Sequence, residues 1–411
     1  MTDAALIQND AVVVGLLAAT LGAIFWTTES PHPFWRRFYR IVPALLLCYA
    51  MPALYNTLGL IDGSTSQIYP VVSRYLLPAT LVLLTLATDV KGILRLGPKL
   101  LAVFLAGTAG VIIGGPVALA LWQVLTPEVV DGDVWRGLAG VAGSWIGGSA
   151  TQAALKDIFV VDANLFGTMV AVDVIIGNLW LALLLWVAAN HARLDARLGA
   201  DTAVLATLHE HVAEFETVQP RVPRLADLMY IIAVAFGAMG LSHALAGPLA
   251  GTFTGIAWAE RASLASEFFW IILMATTAGL ALSFTRVRRL ELVGASRVGS
   301  LLLYVLIASI GMQMNLRAVA TDPALFGLGL TWIVIHGAVI YAAARWLRAP
   351  MFCLAVGSQA NIGGAVSTPV VAAAFHPALA PVGVLLALLG FALGTYGGWL
   401  TGQLMRIVAG Q

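Results

Sequence analysis

Two short polar clusters, each beside an Ile-Gly-Gly triplet, hold the residue types in this sequence that could bind an ion or a polar solute. Side-chain oxygens of this kind suit a hard monovalent cation such as sodium, and they can also hydrogen-bond to a solute. The alternative is hydrogen bonding between helices, at about 0.6 to 2 kcal/mol per contact in membranes. The clusters are Ser149, Thr151 and Gln152, which follow Gly147-Gly148, and Ser358, Gln359 and Asn361, which precede Gly363-Gly364.

The two glycine pairs predict breaks in two membrane helices, because Gly inside a helix costs about 1 kcal/mol relative to Ala. Backbone groups freed at a break cannot remain unsatisfied in lipid, so a break is tolerated only where it lines a cavity. A half-helix that starts after Gly148 or Gly364 would point its positive N-terminal end at that cavity. The residues expected to hold a sodium ion there are Thr151, Gln152, Gln359 and Asn361.

One acid, Asp173, lies within the long apolar stretch 163–192. Carboxylates inside a membrane are costly and mark proton carriers or cation ligands. Two other interpretations stay open: Asp173 could lie nearer the membrane surface, or it could pair with Asn178. The candidate binding residues are completed by Asn315 and Thr368.

The elements that position these residues must be membrane helices, because 60% of the chain is hydrophobic and only 10% is charged, against about 25% charged in soluble proteins. A net charge of +1 excludes strong attraction to nucleic acid. The lack of a G-x-x-x-x-G-K-[ST] motif excludes a P-loop ATPase. Cys48 and Cys353 are too few for a disulfide framework. The acidic N-terminus predicts a retained helix at 11–28 rather than a cleaved signal.

Charge-free stretches predict the spanning helices, because a segment that crosses lipid must be helical and about 20 residues long. Residues 75–88 and 163–192 predict one helix each, and residues 349–405 must cross twice, with a break near His376-Pro377. The total is about twelve crossings, so the predicted fold class is an all-α polytopic membrane protein. The other stretches that can cross once are 11–28, 41–61, 100–127, 137–155, 228–259, 268–285, 298–316 and 323–344.

The two halves of the chain look like an internal duplication. Aligning the triplets places Gly147 on Gly363 and Phe159 on Phe375. Duplicated halves with glycine-interrupted segments at matching positions indicate a secondary transporter with its site between the repeats. The predicted division is a first repeat at 1–190 (extra helix 11–28, core 41–190), a polar connector at 191–225, and a second repeat at 226–411 (extra helix 226–250, core 262–408).

Three tracts resemble a known family: SQANIGG at 358–364, GSWIGGSA at 143–150 and GMQMNL at 311–316. They look like the YjcL-like membrane family, domain of unknown function 819, which is similar to the superfamily of cation:proton antiporters and anion transporters that includes bile-acid:sodium symporters. The resemblance implies two inverted repeats with two crossing, discontinuous helices, and an elevator-like motion of a core domain against a scaffold domain. Inversion requires an odd number of crossings in each half, whereas the stretches above predict six.

Two histidines on apolar segments and the distribution of basic residues identify neither a ligand set nor an orientation. His243 and His336 lie on apolar segments without a second ligand one turn away, so we expect buried, hydrogen-bonded histidines. The basic residues at 36–40 and 91–99 favour the cytoplasm for two loops, but those at 286–289 favour it for a loop that simple counting places outside. Charge asymmetry therefore predicts no orientation at this stage.

We expect an ion-coupled secondary transporter, driven by sodium or protons, of a small organic and anionic solute. A sodium/proton antiporter is the alternative, although antiporters of the resembled superfamily usually carry adjacent acids or an Asn-Asp pair after the first break, and here Asp162 and Asn164 lie near a loop. A membrane enzyme acting on lipid or peptide is a third possibility, without a recognisable nucleophile, acid pair or metal set. We expect no enzyme activity, no cofactor beyond the coupling ion, no nucleic-acid partner, and a homodimer formed through the scaffold in a bacterial inner membrane.

Overall fold

The computed structural model describes residues 5–39, 42–201, 222–319 and 323–411, which are folded almost entirely as helices. The longer helices are α1 (Asp10–Thr28), α2 (Ala44–Thr57), α3 (Ile68–Leu86, with a π-helical turn at Val72–Leu76), α4 (Pro98–Leu125), α5 (Val134–Gly147), α6 (Ser149–Ile158), α7 (Ala163–Ala189), α8 (Leu225–Gly251), α9 (Glu267–Ser283), α10 (Ala295–Gly311), α11 (Ala324–Trp346), α12 (Met351–Ile362), α13 (Gly364–Phe375) and α14 (Ala380–Val408). The shorter ones are Pro33–Phe38, Val90–Leu94, Pro127–Val130, His191–Leu198, Ala257–Arg261 and Leu316–Val319, with 3-10 turns at Arg286–Val293 and Pro377–Leu379.

The chain is an integral, multi-pass membrane protein. By length and composition, seven of the described helices can each cross a membrane: α1, α3, α4, α7, α8, α11 and α14. Leu179 on α7 and Leu241 on α8 are among the apolar side chains left exposed on the outer surface, where lipid rather than water is the solvent. The predicted fold class is confirmed.

Contacts between helix ends show how the chain runs back and forth. Ile7 and Ile61, before α1 and after α2, form a β-bridge, so these two helices are antiparallel. Asp89, after α3, pairs at 2.7 Å with Arg288, after α9. The two membrane faces are named after the charges that predominate in their loops. The acidic face is the one at Ile61, and the basic face is the one where Arg288 pairs with Asp89. Further contacts join Asn56 to Met314, Asn164 to Asn315 and Trp135 to Gln411 at the acidic face, and Lys99 and Arg348 to Asp201 at the basic face.

The helices on either side of each glycine pair fold back on one another. In hairpin 1, formed by α5 and α6, the rings of Trp135 and Phe159 lie 5.6 Å apart, although these residues are at opposite ends of the segment. Arg136 also donates to the Phe159 carbonyl oxygen at 2.8 Å. In hairpin 2, formed by α12 and α13, the rings of Phe352 and Phe375 lie 5.4 Å apart. Each segment therefore enters and leaves on one face, with its glycines at the tip.

This geometry corrects the predicted crossing, discontinuous helices. The breaks lie where they are predicted, but a glycine at each break allows a reversal, so the half-helices return instead of continuing through the membrane. Each hairpin contributes no crossing. Five helices run from one face to the other in each half of the described chain when the shorter helices α2, α9 and α10 are counted with the seven long ones, rather than the six predicted. Hairpin 1 enters from the acidic face, where Trp135 contacts Gln411. Hairpin 2 enters from the basic face, where Phe375 contacts His191. An odd count and hairpins that enter from opposite faces are compatible with the predicted inverted repeats.

The described helices pack into two groups. The core group contains α4 to α7 and α11 to α14, in which α14 packs along α5 and α4, and α11 packs along α4. The scaffold group contains α1 to α3 and α8 to α10, in which α3 packs between α9 and α10. The predicted connector begins with the helix His191–Leu198, and its residues 202–221 lie outside the described residues. The candidate binding residues, apart from Asn315, are all on core helices.

Basic residues concentrate at one face once the hairpins are placed. The loop with Arg286, Arg288 and Arg289 lies beside Asp89, so it shares a face with the basic loops after α1 and α3. The conflict between these loops came from counting each hairpin as a crossing. Because cytoplasmic loops are rich in Lys and Arg, we infer that the basic face is cytoplasmic.

Candidate functional site

The tips of the two hairpins meet against one glycine of α14. A methyl group on Gly390 would lie 2.7 Å from the Ile146 carbonyl oxygen and 3.4 Å from the Ala360 carbonyl oxygen. These two oxygens come from hairpin 1 and hairpin 2, and they can be no farther apart than the sum of the two distances. The hairpins that enter from opposite faces therefore bring carbonyl oxygens together inside the protein.

The glycines at the tips have conformations that explain their residue type. Gly148 has φ +78° and ψ −176°, a region essentially restricted to Gly. Gly364 has φ +59°, which an L-residue with a side chain rarely adopts. At each tip the first helix ends in carbonyl groups and the second begins with N–H groups. The negative end of one helix dipole therefore lies close to the positive end of the next.

The carboxylate of Asp173 holds the end of α5 in hairpin 1. The Ser144 hydroxyl donates to one carboxylate oxygen at 2.6 Å, and the Trp145 indole N–H donates to the other at 2.7 Å. Asp173 is 8% exposed and lies about 15 Å along α7 from the start of that helix, so it is not the shallow residue of the alternative interpretation. The Gln152 side chain approaches the same carboxylate without a hydrogen bond of normal geometry. The site thus contains an intramembrane acid with donors on both oxygens.

In hairpin 2, every side-chain group of Asn361 is hydrogen-bonded, to α4 and to its own helix. Its nitrogen donates to the carbonyl oxygens of Phe104 at 3.2 Å and Gly357 at 2.9 Å. Its oxygen accepts from the Thr108 hydroxyl at 2.8 Å. Asn361 therefore anchors the end of α12 and leaves no side-chain atom free.

Ser358 belongs to a second buried network. His336 is fully buried, and its Nδ1 lies 2.9 Å from the Gly107 carbonyl oxygen, which can only accept. Nδ1 must therefore carry the proton, and Nε2 accepts from the Ser358 hydroxyl at 2.8 Å. The Trp180 indole donates to that hydroxyl, also at 2.8 Å. The expectation of a buried, hydrogen-bonded histidine is confirmed for His336.

Gln359 presents a buried oxygen without a donor. The Ser367 hydroxyl donates to the Gly363 carbonyl oxygen at 2.8 Å and accepts from the Gln359 amide nitrogen at 2.7 Å. With the amide in this orientation, Oε1 is left unpaired although Gln359 is 1% exposed. An unpaired buried acceptor costs about 1 to 3 kcal/mol, which a bound cation would offset.

The other predicted site residues divide into two sets. Thr151 is buried and donates to the Gly147 carbonyl oxygen at 3.2 Å, and Thr368 donates to the Gly364 carbonyl oxygen at 2.5 Å. Thr151 and Thr368 lie on the second helices of the hairpins, and so does Ser149, which is half-buried.

Asn178 and Asn315 are not brought to the tips. Asn178 is exposed on α7 and donates to the Val174 carbonyl oxygen at 2.6 Å, so it does not pair with Asp173. Asn315 follows α10 at the acidic face, where its backbone N–H donates to Asn164. Neither has a described contact with a hairpin.

The scaffold contributes polar groups that face the core. The Tyr49 hydroxyl of α2 is buried without a hydrogen-bond partner, and its ring packs on Phe166 of α7 at 6.4 Å. Asp157, at the end of α6, accepts hydrogen bonds from the hydroxyls of Tyr69 and Ser73 on α3. Lys156 lies 3.5 Å from the same carboxylate, so Asp157 both pairs with its neighbour and joins hairpin 1 to the scaffold.

Several residues of the site were not predicted from the sequence. Ser144 and Trp145 are the partners of Asp173, but nothing in their spacing indicates that α7 lies beside α5. The close packing at Gly390 could have been predicted from the sequence, because α14 carries a row of glycines on the face that packs against hairpin 1. These are Gly390, Gly394, Gly397, Gly398 and Gly402. Such a stripe indicates close backbone approach between membrane helices.

Comparison with known proteins gives two matches that cover most of the chain. The model of a family described as "Protein of unknown function (DUF819)" matches residues 15–408. A relative from Bacillus subtilis (strain 168), named "Uncharacterized membrane protein YjcL", is 23% identical over 370 residues, which are 88% of this chain and 89% of the relative. The chain is therefore similar to a membrane protein along nearly its whole length.

Proposed function

The chain belongs to the DUF819 family, and from that premise we propose that it is an ion-coupled secondary transporter of a small organic solute. The observation that carries the proposal is the meeting of two hairpin tips that enter from opposite faces, with an unpaired Gln359 oxygen at one of them. Interrupted segments in matching positions of two halves are a feature of secondary transporters. Their backbone ends can bind charged groups inside the membrane.

Sodium is the coupling ion that the available oxygens support best. Gln359 Oε1 and the carbonyl oxygens of Ile146 and Ala360 are neutral acceptors near the tips. Of the four predicted sodium ligands, Gln359 has the buried side-chain oxygen that lacks a donor. The N-terminal ends of α6 and α13 favour an anionic solute.

We propose an elevator-type alternation in which the core moves against the scaffold. The hairpins and α14 belong to the core, so the ion and the solute would move with it. The buried Tyr49 hydroxyl of the scaffold would then form part of the surface that the core passes. We further propose a homodimer formed through the scaffold and a location in a bacterial inner membrane.

Sodium binding by the purified protein tests the proposal directly. We expect wild type to bind radioactive sodium, and Gln359→Ala to bind it about tenfold to hundredfold more weakly, because one ligand contributes about 1 to 3 kcal/mol. Gln403→Ala is the matched control: Gln403 is also buried with an unpaired amide, but it lies about 20 Å further along α14 than Gly390.

Equal sodium affinity in wild type and Gln359→Ala would retire the assignment of this ligand. A screen for uptake of organic anions into proteoliposomes, with a sodium gradient imposed, then tests transport itself. No sodium-dependent uptake of any solute, together with sodium-independent stability, would argue against the proposed coupling.

A sodium/proton antiporter is the second candidate, and Asp173 is the observation that favours it. A buried carboxylate next to a hairpin tip can carry a proton as well as bind a cation. Exchange of sodium for protons by the wild-type protein, with no solute present, would support this candidate over the symporter.

A further inference from the structure

A cavity of about 480 Å³ opens on the side of the core, near the basic face. It lies between the C-terminal parts of α7 and α11, and the first helix of hairpin 2 forms its inner wall. Its apolar lining includes Leu183, Leu184, Val334, Ile340 and Leu354. A cavity with these walls, open toward lipid, has room for a hydrocarbon chain.

Two guanidinium groups also line this cavity. Arg197 comes from the helix that follows α7, and Arg345 comes from the last turn of α11. Neither forms an ion pair with an acid in the part of the chain that the structure describes. Trp186 and Tyr341, also in the lining, are 56% and 52% exposed, and aromatic residues of this type are enriched where a membrane meets water. The cavity therefore has an apolar interior and a cationic end at the level of lipid headgroups.

We propose that this cavity binds an anionic phospholipid of the cytoplasmic leaflet. The phosphate would accept hydrogen bonds from Arg197 and Arg345, and an acyl chain would lie along Val334 and Leu354. Guanidinium groups suit phosphate oxygens because they present several donors in one plane. Basic pockets between membrane helices on the cytoplasmic side are known sites for such headgroups. A free phosphate ion would leave the apolar part of the cavity empty.

The bound lipid would stabilise hairpin 2 from its outer side. Met351 and Leu354 of α12 line the cavity, and so does Trp180, whose indole N–H donates to the Ser358 hydroxyl of the same helix. Filling the cavity would restrict the Trp180 ring and the first turn of α12. This inference does not depend on the transported solute or on the coupling ion.

The experiment measures the thermal unfolding midpoint of the detergent-purified full chain as phosphatidylglycerol, phosphatidylcholine or glycerol 3-phosphate is added. We expect phosphatidylglycerol to raise the midpoint at a concentration about thirtyfold lower than phosphatidylcholine does, at roughly 1 kcal/mol for each of two cations. Glycerol 3-phosphate should have no effect. The double variant Arg197→Glu/Arg345→Glu should lose the preference for phosphatidylglycerol.

The matched control is Arg36→Glu/Arg37→Glu, which makes the same charge change next to the scaffold, on the loop after α1, and should keep the preference. Val334→Trp fills the cavity without changing a charge, and it should weaken the response to both lipids. It also keeps the proposal testable if the double variant does not fold. An equal response to both lipids in wild type, an unchanged preference in a folded double variant, or an unchanged response to both lipids in Val334→Trp would overturn the proposal.

Discussion

Replacing Asp173 with Asn separates a proton carrier from a residue that organises hairpin 1. Asparagine keeps the shape of the side chain but cannot bind and release a proton. The Trp145 indole can only donate, so it must face the amide oxygen of the new residue. The Ser144 hydroxyl can accept as well as donate, so it can face the amide nitrogen. Both contacts, at 2.7 Å and 2.6 Å in the wild type, can therefore survive in Asp173→Asn.

The size of the effect follows from these two hydrogen bonds. Bonds to a charged group contribute about 1.5 to 3 kcal/mol each, and neutral ones about 0.5 to 1.5 kcal/mol, so Asp173→Asn should cost about 2 kcal/mol of stability. Asp173→Ala loses both acceptors and strands two buried donors, for a cost of about 3 to 6 kcal/mol. Hydrogen bonds between membrane helices average nearer 0.6 kcal/mol, so these figures are upper values, but the order of the two variants is unchanged.

The assay combines thermal unfolding, sodium binding and sodium/proton exchange in proteoliposomes that contain a pH-sensitive dye. We expect Asp173→Asn to fold and to bind sodium with at most a tenfold loss, because the proposed ligand Gln359 is on the other hairpin. Asp10→Asn is the matched control, since Asp10 also accepts two hydrogen bonds, from Ser66 and Gln67, but on the scaffold. Wild-type exchange without solute, abolished in a folded Asp173→Asn, would refute the reasoning and establish the antiporter.

Two further substitutions test the packing of the core. Gly390→Ala should destabilise the protein by about 1 to 3 kcal/mol and slow transport, because its methyl group would press on the carbonyl oxygens of both hairpin tips; Gly237→Ala on α8, where a methyl group meets nothing, is the control in thermal unfolding. Asp157→Asn should weaken the link between hairpin 1 and the scaffold and increase core displacement, measured by the distance between spin labels on the two groups. Asp133→Asn, whose ion pair with Arg136 lies within the core, should leave that distance unchanged.

The places where the membrane helices break could be predicted from the sequence, but the direction that the chain takes after each break could not. Gly147-Gly148 and Gly363-Gly364 lie at the hairpin tips, because two adjacent glycines destabilise the interior of an apolar helix and so favour a break there. The uncharged stretch 349–405 is equally compatible with two crossings and with one hairpin plus one crossing. The choice depends on contacts such as that between Phe352 and Phe375, which are distant in sequence.

Predicting which polar groups are free proved harder than predicting where they lie. Asn361 and Gln359 are two residues apart and equally polar. α4 and Gly357 together satisfy every group of Asn361, whereas the oxygen of Gln359 is left unpaired. The difference arises because residues two positions apart on a helix point about 200° apart. Only Asn361 therefore faces Phe104 and Thr108. Asn178 points outward for the same reason, although it lies little more than one turn from Asp173.

The hairpins are compatible with the predicted inversion of the two halves. A hairpin returns to the face it came from, so each half keeps an odd number of crossings and the second half starts from the opposite face. The same local structure, an α-helix that ends at a glycine tip, is then presented once from the acidic face and once from the basic face. Because both tips approach Gly390, a displacement that uncovers one tip toward its own face has a counterpart for the other. The alternating access that we propose would then require one kind of movement, used in two opposite directions, rather than two different gates.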